Sequence, residues 1–125
     1  MKKQITTPNA PAAIGPYSAG ITAGGFVFVS GQLPVNPKSS ALCSGSIADM
    51  TRQSLKNVIA VLEAAGSDAA KIVKTTVFLT DLNDFAAMNE AYAAFFENEP
   101  PARSCVQVAR LPRDARVEIE AIAVL

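Results

Sequence analysis

The stretch Lys71-Ile72-Val73-Lys74-Thr75-Thr76-Val77-Phe78-Leu79 decides the fold. Its β-branched and aromatic residues mark a strand. Alternation places Ile72, Thr76 and Phe78 on one face and Val73, Val77 and Leu79 on the other, so the strand lies in a sheet with apolar residues on both sides. On either side of it the period changes to that of a helix. Upstream, Ile47, Met50, Ser54, Leu55, Val58, Leu62 and Ala65 recur at three- and four-residue steps over roughly twenty residues. Ser46 with Asp49 makes a capping-box-like start, and Gly66 suits a left-handed C-terminal cap. Downstream, Asp81 or Asn83 caps a second helix, with Leu82, Phe85, Met88, Tyr92, Phe95 and Phe96 on its buried stripe and Pro100-Pro101 ending it. These aromatic residues read as core packing, with Tyr92, at the edge of the stripe, the exception.

Further out, a short strand at Gln4 to Thr6 and a proline-rich arm (Pro8, Pro11, Gly15, Pro16) precede a second short strand, Tyr17 to Thr22. Gly24-Gly25 turns into the strand Phe26 to Ser30, which ends at Gly31, and Leu33 to Ser46 reads as a loop. Arg103 to Ala109 is a strand, Leu111 to Asp114 a turn and Val117 to Leu125 a closing strand. Two helices in crossover positions imply parallel strands, and a final antiparallel hairpin makes the sheet mixed. Two helices cover only one face of such a sheet. The apolar face left over predicts a closed homo-oligomer, sheet against sheet, with ligand sites that two chains can share.

The chain has 125 residues, eleven basic and eleven acidic side chains, two cysteines and no histidine. That length suits a single domain, residues 1–125. Without histidine there is no Ser-His-Asp or Cys-His relay, imidazole zinc site or imidazole proton shuttle. Cys43 and Cys105 are too few for a thiolate zinc cluster and too far apart for a C-x-x-C pair, so no metal site is expected and both read as free thiols in a reducing compartment. Zero net charge argues against a broad electrostatic footprint for nucleic acid. No secretory signal or bilayer-spanning run is expected, which makes the cytoplasm the default location.

The remaining chemistry concentrates in the last two strands. Arg103 and Cys105 share one face of their strand, and Glu118 and Glu120 share one face of theirs. In an antiparallel hairpin Cys105 falls opposite Glu118 and Arg103 opposite Glu120, so guanidinium, thiol and carboxylate converge within a few ångströms. Arg103 offers a planar fork for a carboxylate. Glu118 can orient and deprotonate a water if burial raises its pKa. Cys105 is either a nucleophile dependent on Arg103 or a small packing residue. Spacing alone leaves open a structural ion pair between Arg103 and the glutamates. Gly31 either permits a close backbone approach or makes an ordinary turn.

The runs Pro101-Ala102-Arg103-Ser104-Cys105-Val106, Ala109-Arg110-Leu111-Pro112 and Val117-Glu118-Ile119-Glu120-Ala121 resemble the C-terminal signature of the RidA/YjgF family, the reactive-intermediate imine deaminases. Asn9 to Tyr17, Ser30 to Val35 and Val73 to Leu79 followed by Asp81-Leu82 resemble the family in the same order. The likeness spans essentially the whole chain, with departures at Ser39 to Ser46 and at a short connection, Glu97 to Pro100. It implies a chorismate-mutase-like α+β subunit, a mixed sheet with two helices on one face, and a homotrimer whose sheets pack into a central barrel with clefts between neighbours.

Family members hydrolyse 2-imino acids such as 2-iminobutanoate and 2-iminopropanoate, which arise from enamines released by pyridoxal-phosphate enzymes, to 2-oxo acids and ammonia without a cofactor. By the resemblance Arg103 binds the substrate carboxylate and Glu118 positions the attacking water. Cys105 contributes mainly backbone contacts, and Tyr17, Ser30 and Asn89 shape the cleft, with Gly31 beside them. An imine carbon is already electrophilic, so an arginine, a carboxylate and a water suffice where histidine is missing. Two alternatives remain. A binding module for small 2-oxo acids would use the same arginine without turnover. Members have also been described as single-strand endoribonucleases and translation inhibitors, against which the neutral charge, the absence of tryptophan and the core assignment of the aromatics count.

Overall fold

The computed structural model describes residues 1–125. Six strands, β1 (Lys3–Ile5), β2 (Gly20–Ala23), β3 (Phe26–Gln32), β4 (Ile72–Leu79), β5 (Ala102–Gln107) and β6 (Val117–Val124), form one mixed sheet in the order β1-β2-β3-β6-β4-β5. Helices α1 (Ile47–Ala64) and α2 (Phe85–Ala93) pack against each other, and α1 also packs on β3 and β6. The α+β class and mixed sheet expected from the sequence are present. No helix is long and apolar enough to cross a membrane.

Helix α1 forms where the periodicity placed it. The Ser46 hydroxyl accepts from the Asp49 N–H at 3.1 Å and the Asp49 carboxylate accepts from the Ser46 N–H at 3.3 Å, satisfying two otherwise unpaired donors. Gly66, at φ +86°, takes the left-handed conformation just past the helix. Leu55, Val58, Val61 and Leu62 are completely buried, each contributing about 1.5–3 kcal/mol of burial. Asn57, also buried, donates to the carbonyls of Leu33 and Val35 and ties the irregular Leu33 to Ser46 segment to the helix.

The second helical stripe is shorter than expected. Leu82 to Asp84 is a 3-10 turn capped by Asp81, so Leu82 stays exposed; Phe85, the first residue of α2, is also exposed. Met88, Ala91 and Tyr92 are the buried residues of α2, which ends at Ala93; Phe96, past that end, is buried too, and Phe95 is half-buried against the core.

The expected final hairpin does not form. β5 pairs in parallel with β4, and β6 enters between β3 and β4, antiparallel to both. The reason lies in β4, whose two edges both need partners. Crossing back through α2 gives β5 one edge as a compact βαβ unit. The chain then passes over the end of β4, where Val108 N–H donates to Leu79 C=O and Thr80 N–H donates to Arg116 C=O, and β6 takes the other edge.

The face assignment of β4 is corrected at one end. A bulge between Ile72 and Lys74 shifts the alternation, so buried Ile72 joins Thr75, Val77 and Leu79 on the helix side while Val73 is exposed. Phe78 and Thr76 lie on the side without helices. That side also carries Phe26 and Phe28, whose rings sit 6.3 Å apart and are both more than 40% exposed. The uncovered apolar face predicted by the helix count is therefore present on the single chain.

Candidate active site

The residues expected to converge are divided between the two faces of the sheet. Across the ladder Arg103 aligns with Thr75 and then Ala121, and Cys105 with Val77 and then Ile119. Directly opposed residues point to the same side, so Arg103 and Cys105 face the helices. Glu118 aligns with Phe78 and Glu120 with Thr76, which puts both carboxylates on the other side. The expected cluster of guanidinium, thiol and carboxylate is therefore absent within one chain, because β4 intervenes and reverses the parity that a hairpin would have given.

Arg103 is built into the edge between β5 and α2. Its guanidinium carbon lies 4.8 Å from the ring centroid of Tyr92 and 5.6 Å from that of Phe85, and Nη1 donates to Asn89 Oδ1 at 2.7 Å. The ion pairs of the chain are Arg52 with Asp49, Arg110 with Asp114 and Arg116 with Asp84. Arg103 has no carboxylate partner within the chain, so the ion pair with Glu118 or Glu120 that the hairpin would have given does not form there. A fixed guanidinium on aromatic faces, with N–H groups to spare, is suited to an external carboxylate. Cys105, half-buried beside it, packs against the core. Burial pushes its thiol pKa up, outweighing the opposite pull of Arg103, so the geometry supports packing and not a nucleophilic thiolate.

The second group surrounds Glu118. Gly31 lies beneath its side chain so closely that a Cβ there would fall 2.8 Å from Glu118 Cδ and closer still to Oε1. Close approach, not a left-handed turn, is thus what glycine provides at this position. Burial, reinforced by the charge of Glu120 on the same face, raises the Glu118 pKa above the ordinary carboxylate value. Next to Gly31, Ser30 donates from Oγ to the Ser18 carbonyl at 2.6 Å. That bond joins the end of β3 to the arm bearing Tyr17, which is exposed. An open hollow of about 500 Å³ runs along this arm past Pro8, Pro11, Gly15 and Tyr17. Another of about 350 Å³ lies between β1 and the end of α1, and neither reaches Arg103 or Glu118.

The structure thus assembles Arg103, Cys105 and Asn89 on one side and Glu118, Gly31, Ser30 and the Tyr17 arm on the other. The support that Tyr92 and Phe85 give Arg103 escaped the sequence reading. Its signal was available: Phe85, Asn89 and Tyr92 follow one another at four- and three-residue steps and so share a helix face.

Comparison with known proteins supports a common origin for this arrangement. The chain is 57% identical over 127 aligned positions to 2-iminobutanoate/2-iminopropanoate deaminase of Salmonella typhimurium, covering 99% of this chain and 98% of that one. Among solved structures, the YjgF gene product of E. coli superposes with a TM-score of 0.94 at 56% identity, over 98% of each chain. E. coli TdcF, solved with bound serine, gives a TM-score of 0.94 at 52% identity over 98% of each chain. The family model described as endoribonuclease L-PSP matches residues 7–125, and the chain belongs to that family, also known as YjgF/RidA.

Proposed function

We propose that this protein hydrolyses small 2-imino acids, of the 2-iminobutanoate and 2-iminopropanoate type, to 2-oxo acids and ammonia in a cleft shared by two copies of the chain. The observation that carries this reading is the separation of Arg103 from Glu118 on opposite faces of one sheet. An edge-strand arginine without a carboxylate partner and a carboxylate with a raised pKa can meet when β5 of one copy approaches the helix-free face of the next. Such a head-to-tail contact closes into a ring, here a homotrimer with the helix-free faces forming a central barrel. Exposed Phe26, Phe28 and Val106 supply apolar surface for that closure. The name carried by the Salmonella relative and the serine bound to the E. coli relative favour a small substrate with a carboxylate next to a nitrogen-bearing carbon.

In the proposed reaction Arg103 takes the substrate carboxylate in two hydrogen bonds while Asn89 holds the guanidinium. Tyr17, Ser30 and the Cys105 strand close the pocket. Glu118 accepts a proton as water adds to the C=N carbon and passes it to nitrogen, forming a carbinolamine. It then takes the carbinolamine hydroxyl proton and returns it to nitrogen as the C–N bond breaks, so that the 2-oxo acid and ammonia leave. Water supplies the oxygen and both hydrogens, so Glu118 ends as it began and the chain's own groups complete the cycle. The two free thiols fit a reducing, cytoplasmic setting.

Single substitutions test this assignment in an assay of 2-iminobutanoate loss. Arg103→Ala abolishes turnover with the oligomer intact; turnover at the parent rate overturns the site. Glu118→Gln keeps 2-oxobutanoate binding but lowers kcat by about 10²-fold or more. A parent protein that binds 2-oxobutanoate and never speeds imine loss would be a binding module.

A further inference from the structure

We propose that Tyr92, locked by Thr75, is a positioning residue that fixes the plane of the Arg103 guanidinium and thereby sets the affinity for the substrate carboxylate. The inference rests on Arg103 being the carboxylate anchor and names what makes that anchor rigid. An arginine on an edge strand has many rotamers, and only a confined one presents a fork to a planar anion. Here Tyr92 lies under the guanidinium, Phe85 flanks it and Asn89 takes one N–H, which leaves the other donors for a ligand.

Tyr92 is itself held from behind. It is 5% exposed, its hydroxyl is 2.7 Å from Thr75 Oγ1, and its ring is tilted against Phe96 with centroids 4.7 Å apart. Thr75 is completely buried and is also the ladder partner of Arg103. The three residues therefore close a loop: Thr75 joins Arg103 through the strand pairing, holds the Tyr92 hydroxyl, and the Tyr92 ring returns to the Arg103 side chain. Apolar packing would fill this part of the core without desolvating two hydroxyls. A buried hydroxyl pair adds direction, and the direction it sets is that of the ring beneath Arg103.

The test measures 2-oxobutanoate binding by calorimetry and 2-iminobutanoate hydrolysis by steady-state kinetics on the full-length protein. Arg103→Ala loses binding. Tyr92→Leu weakens Kd and raises KM by about tenfold, the range of a partly desolvated cation–π contact, with kcat changed by about twofold at most. Tyr92→Phe and Thr75→Val each weaken Kd by roughly two- to fivefold, and the double variant is no worse than either single one, because both remove the same hydrogen bond. Should Tyr92→Leu not fold, these two variants and their combination decide alone. A lowered Tm with Kd unchanged would show a merely structural role and overturn the inference. Loss of binding in Arg103→Ala with parent-like Kd in the Tyr92 and Thr75 variants would overturn it while leaving Arg103 as the anchor. Undiminished binding by Arg103→Ala would remove the anchor and the inference together.

Discussion

At Glu118 burial and function pull in opposite directions. Its carboxyl is half-buried over Gly31, beside Glu120, and burial is the larger cause of its raised pKa. A carboxyl whose folded pKa exceeds its unfolded value holds its proton more tightly when folded, so its contribution to stability falls as pH rises between the two values. Asp49 behaves in the opposite sense: Arg52 and then the Ser46 backbone lower its pKa, and what it contributes is lost on acidification. Catalysis as proposed needs Glu118 ionised. The acid limb of the pH profile of kcat/KM should therefore lie above the ordinary carboxylate range, with activity falling about tenfold per pH unit below it. Initial rates from pH 4 to 8 in constant ionic strength check this. A limb at the value of a free glutamate would mean that the neighbouring copy's Arg103 offsets this burial in the assembled cleft, and a profile with no acid limb at all would contradict the assignment.

Among the elements, α1 depends most visibly on local sequence. Ser46→Ala removes one side of its capping box and should cost about 1 kcal/mol, read as a lower urea midpoint with an unchanged m value. KM and kcat should stay as they were, since the hydrogen bonds of Ser46 run only to Asp49 and Met50 of its own helix. The helix, its caps and the strand at β4 were legible because each is specified within a few neighbouring residues: Ser46 by Asp49, Gly66 by the end of the apolar stripe. The partner of β5 was not legible. Arg103 to Gln107 alternates equally well beside β4 or β6, and the choice is made by the crossover through α2 and the second open edge of β4. The parity of Arg103 and Glu118 fell with it. Ile72 was misplaced for a smaller reason, one bulge residue that exchanges the faces at the start of a strand. The residue types of the site could be read nonetheless, since an arginine fork and a glutamate announce their chemistry whichever way they point.

For the whole molecule, the proposed sharing of the site between copies predicts complementation between two inactive variants. A chain with Arg103→Ala retains Glu118, and a chain with Glu118→Gln retains Arg103. Each homo-oligomer should be inactive, yet co-refolding equal amounts should restore about one quarter of parental activity, the fraction of neighbouring pairs in a random ring that contribute both intact groups. No recovery in hybrids verified by mass spectrometry would mean that both groups act within one chain. The exposed Phe26 and Phe28 face and the arginine without a carboxylate partner are, on this view, two ends of one arrangement.

The position of β6 bears on how the molecule is made. It is central in the sheet, between β3 and β4, yet it is the last of the six strands to leave the ribosome. Until then β3 and β4 each lack the neighbour that covers one row of backbone groups, and α1 has half a floor to rest on. The nascent chain can form α1 and the β4-α2-β5 unit, but those pieces cannot be joined before synthesis reaches Val124. Folding is therefore a late, nearly all-or-none event that waits on long loop closures, and termination between β5 and β6 leaves two sticky strand edges, one on β3 and one on β4, for chaperones and proteases to handle.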